Sequence, residues 1–224
     1  MSEEASPRPR SASELDSTAS TIVRRKRDLI VLGVASVVLG LSTFAATVDL
    51  TDAEVSLFRA VNELPQGLHT VVWPVMQYGT FITIPALAVI ALVFRRFRLA
   101  AAMLLAGVGV YLLAVAIKGM VERGRPGALL DGVQGRELFG EGSLGFPSGH
   151  AAVAAALTVV VATHLSRRWA IAALVLGLAV LFGRMYVGAH LPLDVVGGAA
   201  LGAVAGSAVN LLIRPRPRAT TPAR

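Results

Sequence analysis

WAIAALVLGLAVLFGRMYVGAHLPLDVVGGAALGAVAGSAVNLLI, residues 169–213, sets two long apolar runs on either side of a short stretch carrying Arg184, His190 and Asp194. An arginine, an imidazole and a carboxylate are costly to place at the ends of membrane-length apolar runs, so their presence marks a functional site by default. The first run, 169–183, spans only about 22 Å as a helix, against a hydrocarbon core about 30 Å thick. Arg184 is therefore expected slightly inside the membrane boundary. The second run, 195–213, carries no charge and meets the basic segment RPRPR at 214–218.

Four further runs precede this pair. Residues 29–48 are uncharged and follow Arg24, Arg25, Lys26 and Arg27. Residues 71–94 contain Pro74 and Pro85, which membrane helices tolerate, and end at Arg95, Arg96 and Arg98. Residues 99–117 end at Lys118, and the Ala-rich run 150–165 is closed by Arg167 and Arg168. The expected fold class is all-α: an integral membrane bundle of six transmembrane helices over residues 29–213. Residues 29–48 are not read as a signal peptide, because the run is long, starts late and lacks a small-x-small cleavage site. Residues 1–28 are read as a disordered cytoplasmic tail, given their Ser, Pro, Arg and Glu content, and 214–224 as a basic cytoplasmic tail. Between residues 49 and 69, Thr51 and Glu54 have capping-box spacing ahead of Val55, Phe58, Val61 and Leu64, which predicts a short interfacial amphipathic helix.

Composition agrees with a membrane protein: 54% hydrophobic and 16% charged residues, with a mean hydropathy of +0.66, lie outside the soluble range. The absence of cysteine excludes disulfides, thiolate metal sites and cysteine nucleophiles. The net charge of +7 raises the question of nucleic acid, which topology answers. With six helices both termini share one side. That side, with the loops after helices two and four, holds fifteen of the twenty-one Lys and Arg but five of the fourteen acids. By the positive-inside rule it is cytoplasmic, and no nucleic-acid partner is implied. The opposite side holds Arg59 and Arg136 in loops, and Lys118, Arg123, Arg125 and Arg184.

Three polar stretches then fall on that extracytoplasmic face: KGMVERGRP at 118–126, PSGH at 147–150 and GRMYVGAHLPLD at 183–194. A transporter would instead carry its ionisable residues at mid-membrane. Lys118, Arg125 and Arg184 converging with few acids nearby call for a multiply charged anion, and guanidinium forks suit phosphate. Arg123 is read as an ordinary snorkelling side chain. Ser148 is placed to cap the fourth helix, where its hydroxyl and the N–H groups at Gly149 and His150 make an anion site. His190 and Asp194 are four apart, with Pro192 as the first residue of the last helix. The carboxylate can hold one ring nitrogen and leave the other free to attack phosphorus. Asp194 has a simpler reading as a first-turn acid favoured by the helix dipole. His69 and His164 fit no such constellation and are read as interfacial.

At these residues the chain resembles the type 2 phosphatidic acid phosphatase (PAP2) superfamily, whose pattern is K-x6-RP, then PSGH, then SR-x5-H-x3-D. Order, internal spacings and six-helix frame agree, and Gly183 stands where the pattern has serine, which removes one hydroxyl from the expected phosphate cradle. The resemblance implies a hydrolysis independent of metal or cofactor. In it His190 is the nucleophile, Asp194 orients it and His150 protonates the leaving oxygen through a phosphohistidine intermediate. Lys118, Arg125, Ser148, Gly149 and Arg184 would hold the phosphoryl oxygens. The expected substrate is a phosphatidate-type lipid phosphate or a polyprenyl pyrophosphate, met at the outer face of the cell membrane. Alternatives are a phosphatase for lipid-linked sugar phosphates, a non-enzymatic lipid-binding or transport protein, and a vanadate-dependent haloperoxidase. Six membrane runs count against the last, since those relatives are soluble or secreted.

Overall fold

The computed structural model describes residues 12–137 and 143–213, and all regular elements among them are helical. They are α1 (Ala12–Ala46), α2 (Asp52–Asn62), α3 (His69–Met76), α4 (Thr83–Val93), α5 (Phe97–Val121), α6 (Pro126–Leu129), α7 (Gly149–His164), α8 (Arg167–Tyr186) and α9 (Pro192–Leu212). Four segments are long and apolar enough to cross a membrane: Ile22–Ala46, Phe97–Val121, Arg167–Tyr186 and Pro192–Leu212. A bent helix pair makes a fifth if counted as one span, and the protein is a multi-pass membrane protein.

Helix α1 begins at Ala12, inside the stretch that the sequence reading leaves as tail. Ala12, Glu14, Leu15 and Ala19 are good helix formers, and extending an existing helix avoids the cost of nucleation. Residues 1–11 and the expected basic tail 214–224 lie outside the described residues. The interfacial helix forms as α2, with the Thr51 side chain capping it by accepting from Glu54 N at 3.2 Å.

The run 71–94 is not one straight helix, contrary to the expectation. It divides into α3, a 3-10 turn (Gln77–Gly79) and α4, with a bend of 68°. The cause is local. The Thr80 N–H and hydroxyl and the Thr83 hydroxyl all donate to Gln77 O, the carbonyl a continuing helix would use for its next i→i−4 bond. Pro85 then falls in the first turn of α4, where its missing N–H costs nothing.

The centre of the bundle is the α7/α9 pair. Gly198, Gly202 and Gly206 recur every four residues on α9. A Cβ at each would lie 2.3 Å from Ser148 O, 2.2 Å from Ala152 O and 2.9 Å from Ala156 O, so the two backbones meet directly. This is the small-residue packing by which membrane helices gain contact without a hydrophobic driving force. Helix α5 adds Ala106, Val110 and Ala114 to the same core. At the end of α7 away from Ser148, Asp28 accepts from Thr163 Oγ1 at 3.1 Å, and Asn210 Nδ2 donates to that same hydroxyl at 2.9 Å. That polar knot ties α1, α7 and α9 together. Ile30, Val34, Val37, Leu41 and Phe44 of α1 are left exposed as a lipid-facing stripe.

Candidate active site

The C-terminal ends of α5 and α8 and the N-terminal ends of α7 and α9 come together at one end of the bundle. Helix α5 stops because Glu122 takes a left-handed conformation, φ 52°, which turns the chain into Arg123, Gly124 and Arg125. Gly124 pairs with Leu144, and Gly145 N donates to Arg123 O at 2.7 Å. Lys118, in the last turn of α5, donates to Leu144 O at 2.8 Å and to Gly145 O at 2.9 Å. Ser148 N donates to Asp194 O at 2.9 Å, which joins the start of α7 to the start of α9.

Each residue of the three stretches can now be placed. Ser148 is the N-cap of α7, with its hydroxyl accepting from Ala151 N at 3.4 Å, and it is fully buried. Beside Gly149 the space is open: nothing lies within 4 Å of where a Cβ would be. Arg184 sits in the last turn of α8 and is buried. Arg125 donates to Ala189 O at 3.0 Å, so its guanidinium lies against the loop that carries His190. Lys118, Arg125 and Arg184 all act electrostatically on His190, and Arg184 and Arg125 act on His150. The three cations and two histidines therefore share one site. His69, at the start of α3, and His164, at the far end of α7, stay outside it.

His190 is buried in the loop between α8 and α9. Burial above all, and then the charges of Arg184, Arg125 and Lys118, push its pKa well below the usual histidine value. The imidazole is thus held neutral. Its Nδ1 lies 3.6 Å from Asp194 Oδ2, longer than a hydrogen bond. Asp194 is at the third position of α9, which begins at Pro192 as expected, and its Oδ2 accepts from Leu191 N at 2.9 Å. The bond to Leu191 N fits the helix-start reading of Asp194, while at 3.6 Å its carboxylate lies beside the imidazole without a hydrogen bond to it.

Two acids beside these residues escaped the sequence reading. Arg184 donates to Glu137 Oε2 at 2.7 Å. Arg123, expected to snorkel, is instead buried: it donates through one nitrogen to Glu54 Oε1 and Asp194 Oδ1, both at 3.1 Å, and through the other to Glu54 Oε2 at 2.7 Å. Two carboxylates facing inward give its charge a better partner than the headgroup region would. Glu54, read only as part of a capping box, reaches Arg123 across 69 residues of sequence. Sequence periodicity does not encode such a pairing. Arg136, placed only in a loop, clamps that loop by donating to Asn62 O and Leu64 O, both at 2.8 Å, and stacks 4.1 Å over the Tyr186 ring.

Gly183 also differs from its expected place. A Cβ there would meet Met76 Cγ at 2.5 Å, Met76 Sδ at 2.7 Å and Val72 Cγ1 at 3.0 Å. The position faces α3, so a side chain added at 183 would enter the α3/α8 contact.

Residues 95–218 match the sequence model of the PAP2 superfamily, more than half of the chain. Among solved structures the fold is similar to LpxE from Aquifex aeolicus, with a TM-score of 0.64 at 24% identity over 69% of this chain and 93% of that one. It is also similar to a transmembrane PAP2 type phosphatidylglycerolphosphate phosphatase from Bacillus subtilis, with a TM-score of 0.62 at 24% identity over 80% of this chain and 94% of that one. No curated protein matches.

Proposed function

The chain belongs to the PAP2 superfamily, and from this we propose that it is a membrane phosphatase that hydrolyses the phosphomonoester or pyrophosphate group of a lipid through a phosphohistidine intermediate. The observation that carries the reading is His190: a buried imidazole kept neutral, with Asp194 3.6 Å from Nδ1 and the charges of Lys118, Arg125 and Arg184 acting on it.

In the first step His190 Nε2 attacks phosphorus, and the bond from phosphorus to the leaving oxygen breaks. His150 passes its proton to that oxygen. The charges of Arg184 and Arg125 act on His150, and the anionic substrate brings the negative charge that lets it hold the proton. In the second step His150 takes a proton from water, the resulting hydroxide attacks phosphorus, and the P–N bond breaks to release phosphate and neutral His190. Asp194 opposes the positive charge that forms on the ring in between. Lys118, Arg125 and Arg184, with the Ser148 and Gly149 end of α7, hold the equatorial oxygens as their charge grows. The cations of the chain itself fill the charge-neutralising role, which is why we assign no metal or cofactor to the reaction.

The reading extends to topology. Counting the bent α3/α4 pair and the 16-residue α7 as spans gives six, with both termini cytoplasmic and the site on the outer face of the cell membrane. The test is phosphate release by the purified protein in detergent, from phosphatidate, phosphatidylglycerophosphate, undecaprenyl pyrophosphate and a lipid-linked sugar phosphate in parallel. Release from at least one, inhibition by vanadate and abolition by His190→Ala are expected. Full activity of the His190→Ala protein would overturn the mechanism, and dependence on added magnesium would overturn its metal-free character.

A further inference from the structure

The buried trio of Glu54, Arg123 and Asp194 is not needed to bind a phosphate, yet it sits directly behind the proposed nucleophile. Its side chains are 5%, 5% and 0% exposed. Arg123 takes Asp194 Oδ1, which leaves Oδ2 on the side of His190 and the Leu191 N–H. Glu54 accepts from both terminal nitrogens of the Arg123 guanidinium, and its Oε1 also accepts from Leu193 N at 3.0 Å, one of the donors in the first turn of α9 without an intrahelical partner. One carboxylate from α2 thus fixes both the arginine behind Asp194 and the backbone beside it. Glu54 also lies outside residues 95–218, the part of the chain that matches the family.

Charge explains why two acids are present. Arg123 alone with Asp194 would form a neutral pair, leaving nothing to offset the positive charge that develops on His190 as its Nε2 bonds to phosphorus. With Glu54 included, the trio carries one net negative charge. In a buried site that charge acts at close range on the ring, where solvent screens it little. We propose that Glu54 and Arg123 are positioning residues of the reaction: Arg123 aims the carboxylate of Asp194, and Glu54 cancels the charge of Arg123 so that Asp194 keeps its own for His190. The proposal rests on the phosphatase reading.

The test compares wild type with Glu54→Gln in one phosphate-release assay on purified protein, using whichever lipid phosphate the wild type turns over best. Glutamine keeps the shape and can still accept from Leu193 N, so an anchor of α2 survives while the charge is lost. Losing one charged hydrogen-bond contribution at the transition state corresponds to a fall in kcat of roughly 10- to 100-fold, expected with KM and vanadate affinity within about twofold of wild type. A wild type without turnover would defeat the phosphatase reading itself. A wild type that turns over together with a Glu54→Gln protein of equal kcat would defeat this inference alone. If the glutamine variant does not fold, Glu54→Asp carries the test, since it keeps the charge but withdraws it by one methylene. Lowered kcat at unchanged KM supports the proposal, and wild-type kcat overturns it.

Discussion

Gly183→Ser restores the family pattern, and the structure predicts that the protein is harmed by it. The new Cβ would lie 2.5 and 2.7 Å from Met76 Cγ and Sδ and 3.0 Å from Val72 Cγ1, whereas non-bonded carbons rest at about 3.5–4.0 Å. The overlap of about 1 Å must be relieved by moving Met76 or separating α3 from α8. Met76 is buried in a cluster with Tyr186, Val187 and Ala189, so its displacement pushes on the segment leading to His190. Overpacking of this kind costs about 1–3 kcal/mol, and the adaptable thioether places the expectation near 2. Met76→Ala on its own removes buried volume and costs about 2–5 kcal/mol. The double variant lets the serine occupy the vacated space, so its loss should fall short of the sum of the single losses by about 1 kcal/mol or more. Reversible unfolding in mixed micelles, followed by the fluorescence of Trp73 and Trp169, supplies all three values. Unfolding of Gly183→Ser together with wild type, additivity of the cycle within about 0.5 kcal/mol, or a lower KM at unchanged stability would each show that the serine does not press on Met76.

Three further outcomes are expected. On the phosphatase reading, Glu137→Gln frees the Arg184 nitrogen that Glu137 now holds for the substrate phosphate. For a pair whose acid is 21% exposed, that is about 1 kcal/mol, or a KM lower by a factor of about five; an unchanged or higher KM would show that Glu137 does not compete. Arg123→Leu leaves Glu54 and Asp194 buried without their shared cation, at a cost of about 3–5 kcal/mol, and a melting curve in detergent matching wild type would contradict this. His190 supplies a pH dependence. Its folded pKa lies below the ordinary 6.5, so on acidification the unfolded chain takes up a proton that the folded chain refuses. This contribution to stability is present above about pH 6.5 and is lost as the pH falls. The acid limb of kcat/KM should lie below 6.5 for the same reason, and a limb at or above that value would mean the imidazole is not held neutral.

Much of the fold could be read because apolar length and charge position are local properties. The runs ending at Lys118 and Arg184, the cap at Ser148 and the start at Pro192 all recur as α5, α8, α7 and α9. The bend between α3 and α4 could not be read in the same way. Hydropathy measures whether a residue prefers lipid and not where the chain points, and the bend depends on hydroxyls of Thr80 and Thr83 that a composition window averages away. Of the site, the residues in the three motifs were legible because their chemistry is unusual at helix ends. Glu54 and Arg123 were not, because each has an ordinary reading alone and only folding brings them together. Gly183 was misjudged for a related reason: a missing hydroxyl is visible in a sequence, but the direction in which it would point is not.

The direct contact of the α7 and α9 backbones also bears on how the protein meets its surroundings. Side-chain interfaces can slide, because rotamers adjust, but glycines pressed on carbonyl oxygens at three successive levels leave nothing to readjust. Ser148 and Asp194 lie at one end of that contact and are joined there by the bond from Ser148 N to Asp194 O. Thinning or thickening of the bilayer should therefore be absorbed by tilt of α1, whose outer face is exposed and apolar, and by the bent α3/α4 pair. On the phosphatase reading, the geometry at Ser148 and Asp194 would then be indifferent to membrane thickness. The kcat measured in bilayers of graded thickness should then vary little, and a steep dependence would contradict the rigid α7/α9 contact.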